Sequence, residues 1–297
     1  MNRRDFARTA ATAALGAAAL TPLPVFAQND EPSSSVPYKL SVMLWTIYRD
    51  LPFDQRLEKV AEAGYHSVEL VGEHKKWSDD DFRRFMSKKQ SLGLTFDATS
   101  GLEKGITDPK GIDAFLAELK TLIAAAEKLE CPEIIILTGN RIEGLSHQAQ
   151  HNSCVEALKR GADLAAPRNI TLLLENIDPE ENPKYFLTSV AEGFDVIREV
   201  GHPKVKFLYD FFHEQISEGN LIEKLEKNID LVGLVHIADV PGRHEPGTGE
   251  INYGSIFRKL AQLKYDRYAA MEFLPTGDPV VSLRVARELA MSAGKRA

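Results

Sequence analysis

The chain has 297 residues, 43% of them hydrophobic and 27% charged, with a formal net charge of −7. That length suits one large domain or two small ones, and the charged fraction excludes a membrane bundle. The acidic balance argues against a nucleic-acid binder, and two cysteines, Cys131 and Cys154, cannot build a disulfide framework or a four-thiolate zinc site.

Residues 1–27 differ in kind from the rest. Arg3 and Arg4 precede an Ala/Leu run over 10–20, followed by Pro22, Pro24 and Val25-Phe26-Ala27. A charged start, a short apolar run and a small-residue cleavage site are the order of a signal peptide. The run is shorter than the ~20 apolar residues of a membrane span. Arg-Arg-x-Phe has the form of a twin-arginine export signal, with a Sec signal or a retained anchor as alternatives. Cleavage after Ala27 would leave 270 residues with a net charge near −9. Residues 28–37 read as a disordered lead-in. Residues 38–297 read as a single catalytic domain, exported to the periplasm, with no membrane anchor after processing.

Beyond Tyr38 short apolar runs alternate with amphipathic stretches. The spacing predicts strands over 40–46, 67–70, 94–98, 133–138, 171–175, 206–210, 231–239 and 268–273. Most are apolar throughout, as strands buried on both faces should be. Between them, Ile112, Phe115, Leu116 and Leu119 follow helical periodicity, as do Leu221, Ile222 and Leu225, and Ile256, Phe257 and Leu260. Asp108-Pro109 reads as a helix start, and Gly64, Gly93 and Gly201 as left-handed helix ends. Eight strands alternating with eight helices predict an α/β fold, a (β/α)₈ TIM barrel. A doubly wound open sheet is the alternative, but the turn after strand 1, Trp45-Thr46-Ile47-Tyr48-Arg49, lacks the glycines of a phosphate-binding turn.

Active sites of this barrel are built at the C-terminal ends of the strands. Four successive strands carry Glu175, Asp210, His236 and Glu272 near their exits. Three carboxylates so close would repel one another unless a dication sat between them. The set is oxygen-rich with one imidazole, which suits Mn²⁺, with Mg²⁺, Co²⁺, Zn²⁺ or Fe²⁺ also open.

These residues lie in segments that resemble a known family. The chain resembles the xylose isomerase-like TIM barrels, in particular the hydroxypyruvate isomerase group and its ketose 3-epimerase relatives. The resemblance rests on Leu173-Leu174-Glu175-Asn176-Ile177, on Tyr209-Asp210-Phe211-Phe212-His213 and on the run from Val235 to Tyr253, with its Pro-Gly-Arg-x-Glu-Pro-Gly-x-Gly-Glu-Ile-Asn-Tyr core. Glu272-Phe273-x-Pro275 closes the match. The resemblance implies that Glu175, Asp210, His236 and Glu272 are metal ligands, that Glu175 and Glu272 are the acid/base pair, and that His213 touches a substrate oxygen. Three segments depart from the group. Its strand-7 ligand is usually Gln, whereas His236 matches the epimerases. The stretches Val71-Gly72-Glu73-His74-Lys75-Lys76-Trp77 and Thr99-Ser100-Gly101-Leu102-Glu103-Lys104-Gly105 lack its usual loop patterns. Both stretches would wall the substrate pocket, so the departures bear on the substrate more than on the chemistry.

The expected function is metal-dependent isomerisation of a small α-hydroxycarbonyl substrate of the hydroxypyruvate kind. A ketose 3-epimerase or keto-sugar lyase is the alternative; a non-catalytic sugar-binding barrel or a metal nuclease fits less well. The partner is a small keto acid or sugar, with no nucleic acid; a homo-oligomer stays open. Arg243 is the candidate cation for a substrate carboxylate, against a tie to Glu245 or Glu250. Glu69 holds either a substrate hydroxyl or a buried ion pair. Trp45 reads as core in preference to pocket wall, both cysteines as buried or idle thiols, and His66, His74, His147, His151 and His202 as solvated.

If the twin-arginine route is used, replacing Arg3 and Arg4 with lysine leaves uncleaved precursor in the cytoplasm on fractionation. Unaltered export would point to Sec, and wild-type protein retained whole in the cytosol would end both readings.

Overall fold

The computed structural model describes residues 36–297; the signal-peptide reading and most of the lead-in lie outside them. Eight parallel strands follow one another around a closed barrel. They are β1 (Lys39–Met43), β2 (Ser67–Val71), β3 (Thr95–Ser100), β4 (Glu133–Leu137), β5 (Thr171–Glu175), β6 (Val205–Asp210), β7 (Val232–Ile237) and β8 (Tyr268–Met271). Closure is made by β8 on β1, with Tyr268 opposite Lys39 and Met271 opposite Val42. The open-sheet alternative is thereby excluded.

The helices are α1 (Phe53–Glu62), α2 (Asp79–Ser91), α3 (Ile112–Leu129), α4 (His147–Ala165), α5 (Val190–Val200), α6 (Phe211–Ser217), α7 (Leu221–Asn228), α8 (Tyr253–Gln262) and α9 (Pro279–Gly294). Side-chain caps start several of them. Ser78 and Asp81 form a reciprocal capping box on α2, and Asp278 accepts from Val281 N ahead of Pro279 on α9. Asp108 caps a 3-10 turn, Pro109–Gly111, that leads into α3. Gly64, Gly93 and Gly201 all take left-handed φ. One helix more than expected is present among the described residues, because α6 begins directly at the end of β6 and α7 follows it.

Strand side chains alternate between two cores. One face packs on the helices through Phe115, Phe194, Phe207 and Phe257. The other fills the barrel with Met43, Ala98, Ile135, Leu173, Leu208, Leu234 and Ala270. Cys131 and Cys154 are free, buried thiols, as expected. Two histidine expectations are corrected. His74 is buried, and His151 is buried with its ring nitrogens 3.2 Å from Glu192 and Glu199. Polar groups on helix faces read as solvated, but here flanking carboxylates and packing enclose them. His66 and His147 are exposed and His202 half-buried.

Below the apolar layer lies a polar one. Asp97 accepts from Ser41 Oγ at 2.5 Å and Ser67 Oγ at 2.8 Å. Burial pushes its carboxyl up to about 6, and pushes Glu133, with Arg267 only at 3.8 Å, up to about 8.

The connection between β7 and α8 is organised by one buried carboxylate. Asp239 Oδ1 accepts from Val240 N (3.0 Å) and Ile251 N (2.9 Å), and its Oδ2 from Gly247 N and Gly249 N, both at 2.9 Å. A Cβ on Gly249 would stand 2.0 Å from Val240 O, so the backbone can close over Asp239 only with glycine there. Glu245 then laces this loop to the next: it accepts from Thr276 N (3.0 Å), Thr276 Oγ1 (2.7 Å) and Ser282 Oγ (2.8 Å).

Two expectations follow from these layers. Asp97 and Glu133 hold protons more tightly folded than unfolded. Their stabilisation is complete near pH 4 and is lost as pH climbs through about 6 and then about 8. Thermal midpoints therefore fall from pH 5 toward 9, and Glu133→Gln flattens the upper part of that fall; a variant curve parallel to wild type would refute this. Asp239→Asn sets an amide NH₂ against two backbone donors, and urea unfolding should register a loss of at least about 2 kcal/mol.

Candidate metal centre

Leu173, Leu208, Leu234 and Ala270 point into the barrel. Two residues on along each strand the side chain points the same way, one layer nearer the C-terminal mouth. Those positions are Glu175, Asp210, His236 and Glu272. Glu272 lies just past β8, with its N–H still donating to Ile237 O at 3.0 Å. All four are buried, and each offers a ligand atom within 4.8 Å of the others.

Three of the four side chains are oriented by partners outside the cluster. Asp210 caps α6: its Oδ1 accepts from Phe212 N (2.7 Å) and His213 N (3.3 Å), which leaves Oδ2 facing the centre. The His236 Nε2 sits 3.2 Å from both oxygens of Glu69. Assigning the proton to Nε2 turns the Nδ1 lone pair toward the other three residues. That Nδ1 lies 2.6 Å from Glu272 Oε2, 3.4 Å from Glu175 Oε1 and 3.9 Å from Asp210 Oδ2. Neither His236 Nδ1 nor Glu272 Oε2 has an aligned hydrogen-bond partner. Glu272 Oε1 accepts from Trp45 Nε1 at 2.6 Å and meets Arg243 Nη2 at 2.8 Å.

Burial pushes the Glu175 carboxyl up, with His236 opposing and Glu272 adding to the rise. Burial acts on Glu272 too, but Arg243 and His236 overcome it and hold that carboxyl well below the usual range. Burial lifts Glu69 to about 7 against the pull of His236. His213 stands at about 9, because Asp210 and Asp178 outweigh its burial. Two carboxyls pushed in opposite directions at one site can divide the roles of proton acceptor and donor.

The candidate residues of the sequence meet here. The His213 Nδ1 is 2.7 Å from Asp178 Oδ2, and its Nε2 is buried without a partner, 3.4 Å from Asp210 Oδ2. Of the two readings of Glu69, the buried pair is the one present. The ties of Arg243 are not to Glu245 or Glu250. Its Nη1 meets Glu181 (2.6 Å), its Nη2 meets Glu272 and Asp210 (2.8 and 3.5 Å), and its Nε donates to Glu272 O (3.4 Å). Trp45 is both core and site: half-buried and packed against the barrel-interior cluster, it also binds Glu272, with the Arg243 guanidinium 5.3 Å from its ring centre. Sequence reasoning missed Asp178 and Glu181, which with His213 form a second convergent group. Their one signal was a carboxylate-rich exit from β5, Asp178-Pro179-Glu180-Glu181.

Known proteins are similar to this chain along almost their own whole length. A 2-oxo-tetronate isomerase of Haemophilus influenzae is 29% identical over 250 residues, covering 82% of this chain and 96% of that protein. Hydroxypyruvate isomerase of Escherichia coli is 28% identical over 251 residues, covering 83% and 97%. The crystal structure of an AP endonuclease, family 2, from Brucella melitensis superposes with a TM-score of 0.77 at 26% identity, covering 85% of this chain and 98% of that one. The xylose isomerase-like TIM barrel family matches residues 57–289, from α1 into α9, and the chain belongs to that family.

Proposed function

We propose that this chain is a divalent-metal-dependent isomerase of a small α-hydroxycarbonyl compound, with hydroxypyruvate or a related keto acid as its substrate. The observation that carries the reading is the convergence of Glu175, Asp210, His236 and Glu272 at one buried point. Three buried carboxylates beside an imidazole whose Nδ1 makes no aligned hydrogen bond are the donor set of a hard dication. Mn²⁺ suits it best; Mg²⁺, Co²⁺ and Zn²⁺ remain open. The isomerase names of the relatives from Haemophilus influenzae and Escherichia coli support the same reaction class. A cation bound there supplies Lewis acidity toward the adjacent carbonyl and hydroxyl oxygens of the substrate.

The protein side chains move the proton. One of Glu175 and Glu272 takes it from the hydroxyl-bearing carbon and the other returns it to the neighbouring carbon, while the hydroxyl proton passes to the former carbonyl oxygen. Trp45 and Arg243 hold Glu272 in place for this. Asp178 fixes the His213 ring, so that Nε2 presents its proton to a substrate oxygen. Glu69 holds His236 and so supports the site from behind. Return of the proton to the carbon that lost it, from the opposite face, gives epimerisation. A ketose 3-epimerase is therefore the second reading, favoured by histidine at position 236. A nuclease would need a basic groove, which the net charge of −7 opposes. The Arg3-Arg4 signal would deliver the enzyme to the periplasm.

Chelation abolishes turnover of hydroxypyruvate and Mn²⁺ restores it. Glu272→Gln, measured with its metal content known, loses about 10²-fold or more in turnover and in solvent-deuterium exchange at the substrate carbon. A loaded variant within a few-fold of wild type would leave Glu272 a ligand only. A loaded wild type that exchanges neither keto acids nor ketoses would end the proposal.

A further inference from the structure

The carboxylate of an α-keto acid is bonded directly to the carbonyl carbon, so a cation that binds it must stand at the centre itself. Among the described residues, Arg243 is the one lysine or arginine within 4.0 Å of the three carboxylates there, its Nη2 lying 2.8 Å from Glu272 Oε1 and 3.5 Å from Asp210 Oδ2. Protein groups alone fix this guanidinium. Its Nε donates to Glu272 O at 3.4 Å, and its carbon lies 5.3 Å from the Trp45 ring centre and 4.9 Å from that of Phe212. With Nε and Nη2 committed to the centre, Nη1 is the nitrogen left to receive another anion.

That nitrogen has one partner, Glu181 Oε2 at 2.6 Å. The pair is lopsided: the Arg243 side chain is 8% exposed and the Glu181 side chain 46%. No other hydrogen bond among the described residues holds the Glu181 carboxylate. The His213 Nδ1 stands 4.0 Å away and already serves Asp178 at 2.7 Å. The Glu181 backbone is anchored separately, its N–H donating to Asp178 Oδ1 at 2.9 Å beside that of Glu180 at 2.8 Å. The side chain is therefore able to turn out to water while the connection after β5 and the guanidinium both stay in place. Half-exposed ion pairs stabilise weakly, so this turn costs little.

We propose that Glu181 is a specificity-determining residue: its carboxylate occupies the seat at Arg243 Nη1 that the carboxylate of a keto acid takes, and an acid binds only by displacing it. Two carboxylates at one guanidinium nitrogen repel each other, so the exchange is one for one. A hydroxymethyl group in the same position brings no charge and leaves Glu181 where it is. The inference rests on the isomerase reading above and divides its substrate class into acids, which meet this internal competitor, and neutral hydroxymethyl ketones, which do not.

Hydroxypyruvate and dihydroxyacetone differ only in carboxylate against hydroxymethyl, so together they isolate the exchange. In the Mn²⁺-loaded full-length protein, Glu181→Gln raises the ratio of kcat/KM for hydroxypyruvate over dihydroxyacetone by about fivefold, the upper scale of a half-exposed ion pair. The gain appears in KM. Glu180→Gln removes the same charge one residue away and leaves the ratio as in wild type. Calorimetry with pyruvate, a keto acid with no hydroxyl to isomerise, shows binding tightened about fivefold by Glu181→Gln. A merely structural tie predicts the opposite, weaker binding of both substrates as Arg243 loosens. A ratio that is unchanged or lowered, equal changes on both substrates, or an equal gain from Glu180→Gln overturns the assignment and leaves the isomerase reading standing. If the wild type turns over neither compound, the isomerase reading fails by itself. Pyruvate then decides the role of Glu181: binding that is absent, or no tighter in Glu181→Gln, overturns it.

Discussion

Parallel closure combined with side-chain alternation is what the site depends on. Once β8 pairs with β1, the interior faces of eight strands share one axis. Any residue two positions beyond an interior apolar side chain must then point at that axis, one layer higher. Leu173, Leu208, Leu234 and Ala270 fill the layer beneath, and Glu175, Asp210, His236 and Glu272 are the next rung on the same strands. The apolar plug thus sets the depth of the polar cluster and closes it to water from below.

Crowding three carboxylates into that rung costs free energy that the surroundings must offset. Arg243 bridges Glu272, Asp210 and Glu181, and the His213 imidazole, held protonated by Asp210 and Asp178 against its burial, adds charge from another side. Each of the two imidazoles has its outward nitrogen fixed by a carboxylate, Glu69 for His236 and Asp178 for His213. The inward nitrogens are left to face the centre without aligned partners. In this the cluster differs from a satisfied ion-pair network, in which every buried polar atom is paired.

The barrel and its four principal side chains were legible because both are encoded locally. Buried parallel strands read as short apolar runs, and an ionisable residue at the end of such a run stands out; β5, Thr-Leu-Leu-Leu-Glu, is the clearest case. What the sequence hid depends on contacts distant along the chain. Trp45 ends an apolar run and reads as core, yet its partner, Glu272, is 227 residues away. Asp178 and Glu181 resemble an ordinary acidic loop until His213 and Arg243 arrive from other strands. His151 shares the buried stripe of α4 with Cys154, Val155 and Leu158, a signal the solvated reading passed over, while the carboxylates that meet its ring, Glu192 and Glu199, come from α5.

The lacing of the last two connections has an evolutionary consequence. Glu245 joins the loop after β7 to Thr276 and to Ser282 inside α9, while Leu274 N donates to Arg243 O at 2.6 Å. Neither connection can be exchanged without unmaking the other, so the pair is inherited as a single cassette. The connections after β2 and β3 carry no comparable tie to that cassette. They can change without disturbing it, and two of the three segments that the sequence reading sets apart from the hydroxypyruvate isomerase pattern, 71–77 and 99–105, lie there. A lineage built this way changes what it accepts by redrawing one side of the barrel mouth while transmitting the other side intact.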